Sequence, residues 1–317
     1  MTPAERNRRI KAHAHGLGFE AAGIATLEPT PHGAALRRWL DAGHAGTMTY
    51  MHRQAARRSY PAAIVPGATR AVMVSRSYMV ADTPGPGGRG HVAKYARGAD
   101  YHDTLRAPLQ ALADYVRSLG GTETIARPYV DAGPVPEREL AQRAGLGWIG
   151  KNTMLISPRY GSYCFLASVL TDLDVAPDAP FEADRCGRCR RCLDACPTQA
   201  FPEPRVLDSR RCISYLTIEH RAPIASELAV LMGDWVFGCD VCQAVCPWNL
   251  RFAHPREDPR LERQLELEWL DLTALAGMGD SEFARRFGHT PLRRPGAAAM
   301  RRNAAIASAN AAADAGE

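Results

Sequence analysis

The pattern of hydrophobic and polar positions changes character along the chain. Over residues 1–178, short apolar runs alternate with amphipathic stretches of helical period. The pattern predicts helices at 4–16, 31–43, 47–57, 101–119 and 134–145, and strands at 20–26, 69–77, 123–131, 153–157 and 163–171. Strands that alternate with helices predict an α/β layered domain.

The rest of the chain follows two other patterns. Residues 179–255 hold closely spaced cysteines between short polar segments, which is typical of a ferredoxin-like module. Residues 256–317 are rich in arginine and alanine, and predict helices at 280–287 and 296–311. The predicted domains are therefore an α/β domain over 1–178, a cysteine module over 179–255 and a short helical segment over 256–317.

Composition narrows the class of protein. The chain has 317 residues, of which 46% are hydrophobic, so it can bury a core in two or three domains. Its apolar stretches are all shorter than the roughly 20 residues of a membrane-spanning helix. The net charge is +5, with 39 Lys and Arg, which favours a polyanionic partner. The residues after the Arg8-Arg9 pair are too polar for an export signal, so we expect a cytoplasmic protein.

Eight of the nine cysteines carry the strongest chemical indication. Residues 186–197 read C-x₂-C-x₂-C-x₃-C-P, and residues 239–247 read C-x₂-C-x₃-C-P, one thiolate short. In two-cluster ferredoxins the fourth cysteine of each run ligates the other [4Fe–4S] cluster. The spacing therefore predicts one cluster on Cys186, Cys189, Cys192 and Cys246, and another on Cys196, Cys212, Cys239 and Cys242. Zinc is disfavoured by the third cysteine in each run, and we expect Cys164 to be a buried core thiol.

Other motif blocks surround the cysteines. They are VDAGPVPERELAQRAGLGWIGKN at 130–152, the segment 94–102, RRCISYLTIE at 210–219 and CDVCQAVCPWN at 239–249. With these blocks, residues 4–255 resemble the epoxyqueuosine reductases, oxidoreductases that complete queuosine synthesis on tRNA. The resemblance implies a corrinoid-binding α/β domain followed by a ferredoxin-like two-[4Fe–4S] module. It also implies base-off cobalamin between these two parts and two [4Fe–4S] clusters that recharge it.

The resemblance assigns roles to particular residues. Asp131 matches the catalytic aspartate and is the expected proton donor; the alternative is that it only caps the helix predicted to begin near Pro134. Tyr95, Arg97 and Tyr101 are expected to line the corrin or the substrate, and His102 is not expected to ligate cobalt. The full set of expected corrinoid contacts is Arg53, Tyr95, Tyr101, Asp131, Lys151, Asn152, Leu155, Leu166, Ser214, Tyr215 and Asp240.

The implied reaction is reduction of epoxyqueuosine at the wobble position of a tRNA with a GUN anticodon. Arg210, Arg211 and Arg251 are the expected tRNA contacts. A low-potential donor of flavodoxin or ferredoxin type, no membrane contact and a monomer complete the prediction. Residues 292–307 resemble only the start of the HEAT-like domain that longer relatives carry. The alternatives are a corrinoid reductive dehalogenase or a non-enzymatic ferredoxin-like electron carrier.

Overall fold

A computed structural model describes residues 1–85, 87–255, 261 and 264–314. Parts of the predicted C-terminal segment, residues 256–260, 262–263 and 315–317, lie outside the described residues. Along the first 178 residues the elements are α1 (Pro3–Gly16), β1 (Ala21–Thr26), α2 (Gly33–Asp41), α3 (Thr49–Arg53), α4 (Ala55–Ser59), β2 (Arg70–Ser77), β3 (Arg89–Val92), α5 (Tyr101–Gly120), β4 (Ala126–Tyr129), α6 (Glu137–Arg143), β5 (Trp148–Ile149), β6 (Leu155–Ile156) and β7 (Cys164–Thr171). They continue with α7 (Arg191–Asp194), α8 (Ile213–Ile218), α9 (Ser226–Leu231), β8 (Trp235–Phe237), α10 (Val241–Ala244), α11 (Pro247–Phe252), β9 (Trp269–Asp271), α12 (Leu272–Gly277), α13 (Asp280–Phe287) and α14 (Gly296–Asp314).

The strongly periodic elements lie where the sequence predicts them, and their ends follow from local chemistry. Helix α1 begins after Thr2, whose hydroxyl accepts a hydrogen bond from the Glu5 amide. Helix α5 begins after Asp100, which caps the His102 amide in the same way, and ends before Gly121 at φ 106°. The predicted helix at 47–57 is instead two short helices, α3 and α4, that meet at Gln54.

The first sheet has the strand order β1-β2-β7-β4, and every neighbouring pair is antiparallel. Helices α1 and α5 cover one face and α6 covers the other, so residues 1–178 form a three-layer mixed α/β unit. Side chains alternate between the faces: Val72 and Val74 pack under α5, whereas Ala71 and Met73 pack under α6. An antiparallel sheet does not gather ligands at the carboxyl ends of its strands as a parallel sheet does. The position of Asp131 therefore needs a local explanation.

A second sheet joins all three predicted domains. Its order is β8-β3-β9, with β3 parallel to β8 and antiparallel to β9. Helices α12, α13 and α14 bury their apolar residues against it, in a cluster that includes Phe237, Phe287 and Met300. The C-terminal helices thus find their partner surface in the preceding chain. The predicted domain boundaries at 178/179 and 255/256 remain predictions, since contacts cross both.

Strand β3 is held by a stacked histidine and a buried ion pair. The His91 ring lies between the Trp235 and Trp269 rings, with centroids 4.2 and 4.1 Å away. Burial, followed by the nearby Arg97 charge, lowers the pKa of His91 to about 4. Arg97, which is predicted to line the corrin or the substrate, is 2% exposed and bonds Glu268 at 2.8 Å within this network.

In the part of the chain that the structure describes, no helix combines the length and the apolar character needed to cross a membrane.

Asn303 provides a test of how α14 is attached. Its amide donates to the Thr217 and Val236 carbonyls, each at 2.9 Å, and the residue is fully buried. We expect Asn303→Ala to lower the free energy of unfolding by about 2 kcal/mol, because two buried carbonyls lose their partner. Urea unfolding measures this change. Asn310→Ala is the control, since Asn310 makes the same type of bonds to Ala229 and Gly233 while partly exposed, and equal losses in the two variants would contradict the prediction.

Candidate active site and iron–sulfur centres

The fold gathers the eight module cysteines into two groups. Burial, followed by the charges of Cys186, Cys246 and Cys189, raises the pKa of Cys192 to about 11. These four form the first cysteine group and line one cavity. Burial, followed by the charges of Cys239 and Cys212, raises the pKa of Cys242. Cys196 lies near Cys212 and Cys239. The second cysteine group is therefore Cys196, Cys212, Cys239 and Cys242, so each group joins the residues that the spacing pairs.

Polar side chains from the α/β domain hold the loop of the first cysteine group. The Trp148 indole N–H points at the Cys186 sulfur, 3.4 Å away. The Lys151 ammonium donates to the carbonyls of Gly187 and Cys189, at 2.6 and 2.9 Å. Donors directed at cluster sulfurs and loops set the reduction potential of such clusters. The side chain of Lys151, a predicted corrinoid contact, is thus engaged by the cluster loop.

The second cysteine group is surrounded by buried polar contacts. Asp240 is 5% exposed and accepts a hydrogen bond from the Lys94 amide at 2.8 Å, and burial raises the pKa of this carboxyl. Asn152 is 3% exposed and its amide lies 3.4 Å from the Cys242 carbonyl. Both are predicted corrinoid contacts, and in the structure these bonds join the cysteine module to the α/β domain.

The loop after β4 presents Asp131 to solvent. Strand β4 runs antiparallel to β7, with Tyr129 opposite Ser168. The residues after Tyr129 therefore continue along β7 towards Phe165. Asp131 has φ 48°, a left-handed conformation that aspartate tolerates better than most residues, and its side chain is 61% exposed. Tyr101 stacks on Phe165 with centroids 4.4 Å apart and donates its hydroxyl hydrogen to Asp131 Oδ2 at 2.5 Å. The stacked tyrosine therefore fixes one carboxylate oxygen and leaves the other free to meet a ligand.

A histidine links Asp131 to a second carboxylate. His102 Nδ1 lies 2.7 Å from Asp100 Oδ1, and His102 Nε2 lies 3.8 Å from Asp131 Oδ2. The hydrogen bond to Asp100 raises the pKa of His102. Asp100 is held in turn by Arg293, 2.9 Å away. Both ring nitrogens of His102 thus face carboxylates, an arrangement that can store and pass a proton.

Glu137 is the other titratable partner of Asp131. Its Oε1 accepts a hydrogen bond from the Asp131 amide at 3.1 Å. Burial, followed by the negative charge of Asp131, raises the pKa of Glu137 to about 7. A carboxyl with this pKa is present in both protonation states at neutral pH, which suits a proton reservoir.

Side chains from distant segments complete the surroundings of Asp131. The charge of Asp131 contributes to raising the pKa values of Tyr50, Tyr95 and Tyr101, in each case after burial. Arg294 bonds Glu219 at 2.6 Å, and both lie close enough to affect Tyr50. The site therefore takes residues from the α/β domain, the cysteine module and the C-terminal segment.

The other predicted contacts are more scattered. Tyr215 is 7% exposed and its hydroxyl accepts the Thr47 amide at 2.7 Å, so it holds the α2–α3 loop; neighbouring Ser214 is partly exposed. Leu155 is 2% exposed and packs in the core under α6, with Leu166 beside that core. Arg53 is exposed at the end of α3.

The predicted tRNA contacts lie in two places. Arg210 bonds Asp208 at 2.8 Å, and Arg211 bonds the Thr198 carbonyl at 2.7 Å, both beside the second cysteine group. Arg251 lies apart from them, over the Phe252 ring. The half-buried Cys164 in β7 lies outside both cysteine groups, and burial raises its pKa to about 12.

Sequence reasoning did not assign roles to Glu137, His102 or Arg294. The ERE run after Pro136 and the DYH run at the start of α5 were visible, but their contacts with Asp131 are set by the fold.

Two groups of four cysteines beside a carboxylate site define an iron–sulfur oxidoreductase. Residues 185–249 match the family model described as a 4Fe-4S double cluster binding domain, and residues 58–132 match the one described as epoxyqueuosine reductase QueG, DUF1730.

Known relatives identify the family. The chain is 42% identical to an epoxyqueuosine reductase of Pseudomonas aeruginosa, over 98% of this chain and 86% of that protein. It is similar to a crystallised epoxyqueuosine reductase bound to an epoxyqueuosine-modified tRNA-Tyr stem loop, with TM-score 0.89, 30% identity, and coverage of 98% and 82% of the two chains. A Bacillus subtilis epoxyqueuosine reductase, whose aspartate catalytic loop is swung out of the active site, gives 0.87 at 30% identity over 98% and 82%. The chain belongs to the epoxyqueuosine reductase family. The predicted alternatives, a reductive dehalogenase and an electron carrier, are not favoured.

The Asp100–His102 contact predicts a pH dependence. A pKa of His102 above its unfolded value of about 6.5 means that protonation stabilises the fold. That stabilisation is complete below pH 6.5 and is lost as pH rises through the folded pKa. Asp100→Asn keeps a good N-cap but removes the charge, so we expect the pKa of His102 to fall. NMR titration of the histidine ring protons measures it, with His13 as an internal control, and an unchanged His102 value would refute the contact.

Proposed function

We propose that this chain reduces epoxyqueuosine in the anticodon loop of tRNA to queuosine, with Asp131 as the proton donor. The observation that carries the proposal is the geometry of Asp131, an exposed carboxyl held by Tyr101 and flanked by two proton-storing groups, His102 and Glu137. A structurally similar epoxyqueuosine reductase binds a modified tRNA stem loop, which supports the same substrate here. The mobile aspartate loop of the Bacillus subtilis relative supports a catalytic role for the Asp131 loop.

The two cysteine groups fit two [4Fe–4S] clusters. Each group offers four thiols, and neighbouring N–H groups donate to the sulfurs, as Ala200 does to Cys196 at 3.3 Å. We assign one cluster to each group, as the spacing predicts.

Cobalamin also fits the site. Tyr95 and Tyr101 are aromatic, and Ser214 and Arg53 are accessible, so these side chains together with Asp131 are the proposed contacts. His102 has both ring nitrogens directed at carboxylates, which agrees with a corrinoid that takes no histidine from the protein. When bound, cobalamin would supply a low-valent cobalt nucleophile that opens the epoxide.

Side chains of this chain supply the protons of the reaction. Conversion of the epoxide to the alkene with loss of water consumes two electrons and two protons. Tyr101 orients Asp131 through Oδ2, so that the other oxygen delivers a proton to the epoxide oxygen. A bound tRNA would cover this exposed carboxyl and exclude water from it. His102 Nε2, 3.8 Å from Asp131 Oδ2, is placed to restore the proton after each transfer, and Glu137, which accepts from the Asp131 amide, is the proposed reservoir beside it.

The remaining features of the proposal concern the partners and the setting of the enzyme. Arg210 and Arg211 lie near the α2–α3 loop beside the site and are proposed to contact tRNA phosphates. We further propose the predicted three-domain division, a monomer, a cytoplasmic location and a low-potential electron donor of flavodoxin or ferredoxin type.

Substitution of one thiol tests the cluster assignment. Cys212 lies between the two cysteine runs in the sequence and is the proposed fourth ligand of the second cluster. Because Cys212→Ser removes this ligand, we expect iron per chain to fall from about eight to about four. Iron and sulfide analysis, with electron paramagnetic resonance of the reduced protein, measures the loss. Cys164→Ser is the control and should keep both clusters, because Cys164 lies in the first sheet. If Cys212→Ser retained the iron content of that control, the assignment would be wrong.

The acid role is tested by Asp131→Asn. Asparagine tolerates positive φ as aspartate does, so the loop is retained while the proton is lost. We expect turnover of epoxyqueuosine tRNA to fall at least about 100-fold, with iron content and corrinoid binding unchanged. Nucleoside mass spectrometry of the tRNA measures product. Asp103→Asn, on the exposed first turn of α5, should retain full activity. Wild-type turnover in Asp131→Asn would overturn the assignment.

A further inference from the structure

The surface over the first cysteine group combines aromatic rings with arginines. The Trp148 and Trp248 rings meet edge to face with centroids 4.8 Å apart, and Trp248 stacks on Phe252 at 5.3 Å. The Arg185 guanidinium lies 5.9 Å from the centre of the Trp248 ring, and Arg251 lies 5.1 Å from that of Phe252. Exposed aromatic and arginine side chains are the types enriched in protein interfaces.

The tryptophan pair joins this surface to a cluster ligand. Trp248 is partly exposed, whereas Trp148 is 2% exposed and directs its N–H at the Cys186 sulfur. Electron tunnelling weakens steeply with distance, so rings in contact give better coupling than a gap of solvent. The path from the surface to a thiolate therefore passes through two touching indoles.

The second cysteine group is less accessible. On the side of Cys212, Cys239 and Cys242, the neighbouring residues Ile213, Gly238 and Asp240 are buried, and exposure among the residues adjacent to the group is confined to Pro197 and Arg211. The residues between the members of the first group, such as Gly187, Arg188 and Arg190, are exposed. The Tyr95 ring lies 5.9 Å from that of Phe237, two residues before Cys239, and 6.2 Å from that of Tyr101, which bonds Asp131. The second group therefore lies on the side of the candidate active site. Electrons that enter at the first group thus move towards the site.

The charge of the exposed surface is positive. Residues 185–191 contain four arginines and no carboxylate. Arg190 is offset by Asp194 at 3.4 Å, while Arg188 and Arg191 point outward on either side of Cys189. Leu250, 67% exposed, adds an apolar contact at the edge of the patch. A basic rim around a small apolar centre attracts an acidic protein and speeds its encounter.

We propose that this surface, formed by Arg185, Arg188, Arg191, Trp248 and Leu250, docks an acidic one-electron carrier protein of the low-potential flavin or iron–sulfur class. At each encounter one electron leaves the reduced centre of the carrier and reduces the cluster of the first cysteine group, and no bond forms or breaks. Two encounters supply the two electrons of one turnover. The inference rests on the proposed function, because it needs a cluster in the first group and an acceptor beyond the second.

The test is a double charge reversal, Arg188→Glu with Arg191→Glu, in the reconstituted holoenzyme. The probe is a reduced acidic flavodoxin, and stopped-flow absorbance follows cluster reduction. We expect the second-order rate constant to fall about tenfold or more, and its salt dependence to flatten, because steering by opposite charge is lost. Reduction by dithionite, a small reductant, should be unchanged, as should turnover driven by it.

The matched control is Arg285→Glu with Arg286→Glu, which makes the same change of charge. Both arginines are exposed on α13, whose apolar side chains pack among the C-terminal helices. This control should reduce at the wild-type rate. An unchanged flavodoxin rate in the Arg188/Arg191 variant would overturn the proposal, as would a selective rise in KM for the tRNA stem loop, which would assign the surface to tRNA. Should the variant assemble fewer irons, the salt dependence of the wild-type rate decides: a rate that does not fall with salt refutes electrostatic docking. Absence of dithionite-driven turnover in wild type would instead contradict the proposed function.

Discussion

Everything in this molecule depends on bringing eight thiols into two compact groups. Burial and mutual proximity raise the pKa of thiols such as Cys192, so without iron they are held as neutral groups in a confined space. Iron binds thiolate, and cluster assembly therefore releases protons and stabilises the folded module. Because Cys212 and the two runs are far apart in the chain, each cluster cross-links segments that would otherwise be joined only by short helices.

The cysteine module is fixed to the α/β domain by buried polar contacts. Asn249 accepts the Ser162 amide at 2.6 Å and donates to the Gln243 carbonyl at 2.8 Å, which connects β7 to the second cysteine run. The Lys94 amide and Asp240 make a second link beside Cys239. Such buried bonds are costly to leave unmade, so they hold the cysteine groups against the domain that carries Asp131. The proposed function needs this arrangement, because electrons and protons must reach one substrate.

Several residues that are predicted to contact the corrinoid also hold the fold together. Lys151 and Asn152 hold cluster loops, and Tyr215 holds Thr47, because a polar side chain next to a motif has many neighbours that only folding reveals. His102, by contrast, belongs to the candidate site only because the fold brings it to Asp131, which lies 29 residues later in the sequence. Of the C-terminal helices, α13 and α14 were predicted at their observed positions, whereas the six-residue α12 was not. The β8-β3-β9 sheet on which they pack was not predicted either, since strands of three or four residues carry too little periodicity.

The sequence by itself determined the chemistry that depends on fixed spacing: the two cysteine runs, the long amphipathic helices α1 and α5, and the apolar strands β2 and β7. These features are local, and their residue types and periods are written in consecutive positions. The tertiary structure alone decided that the first sheet is antiparallel, that Tyr101 holds Asp131, and that the proton-storing Glu137 and His102 flank it. Except for Glu137, which lies six residues after Asp131, those relations join residues far apart in the chain, and packing and burial fix them only when the layers close.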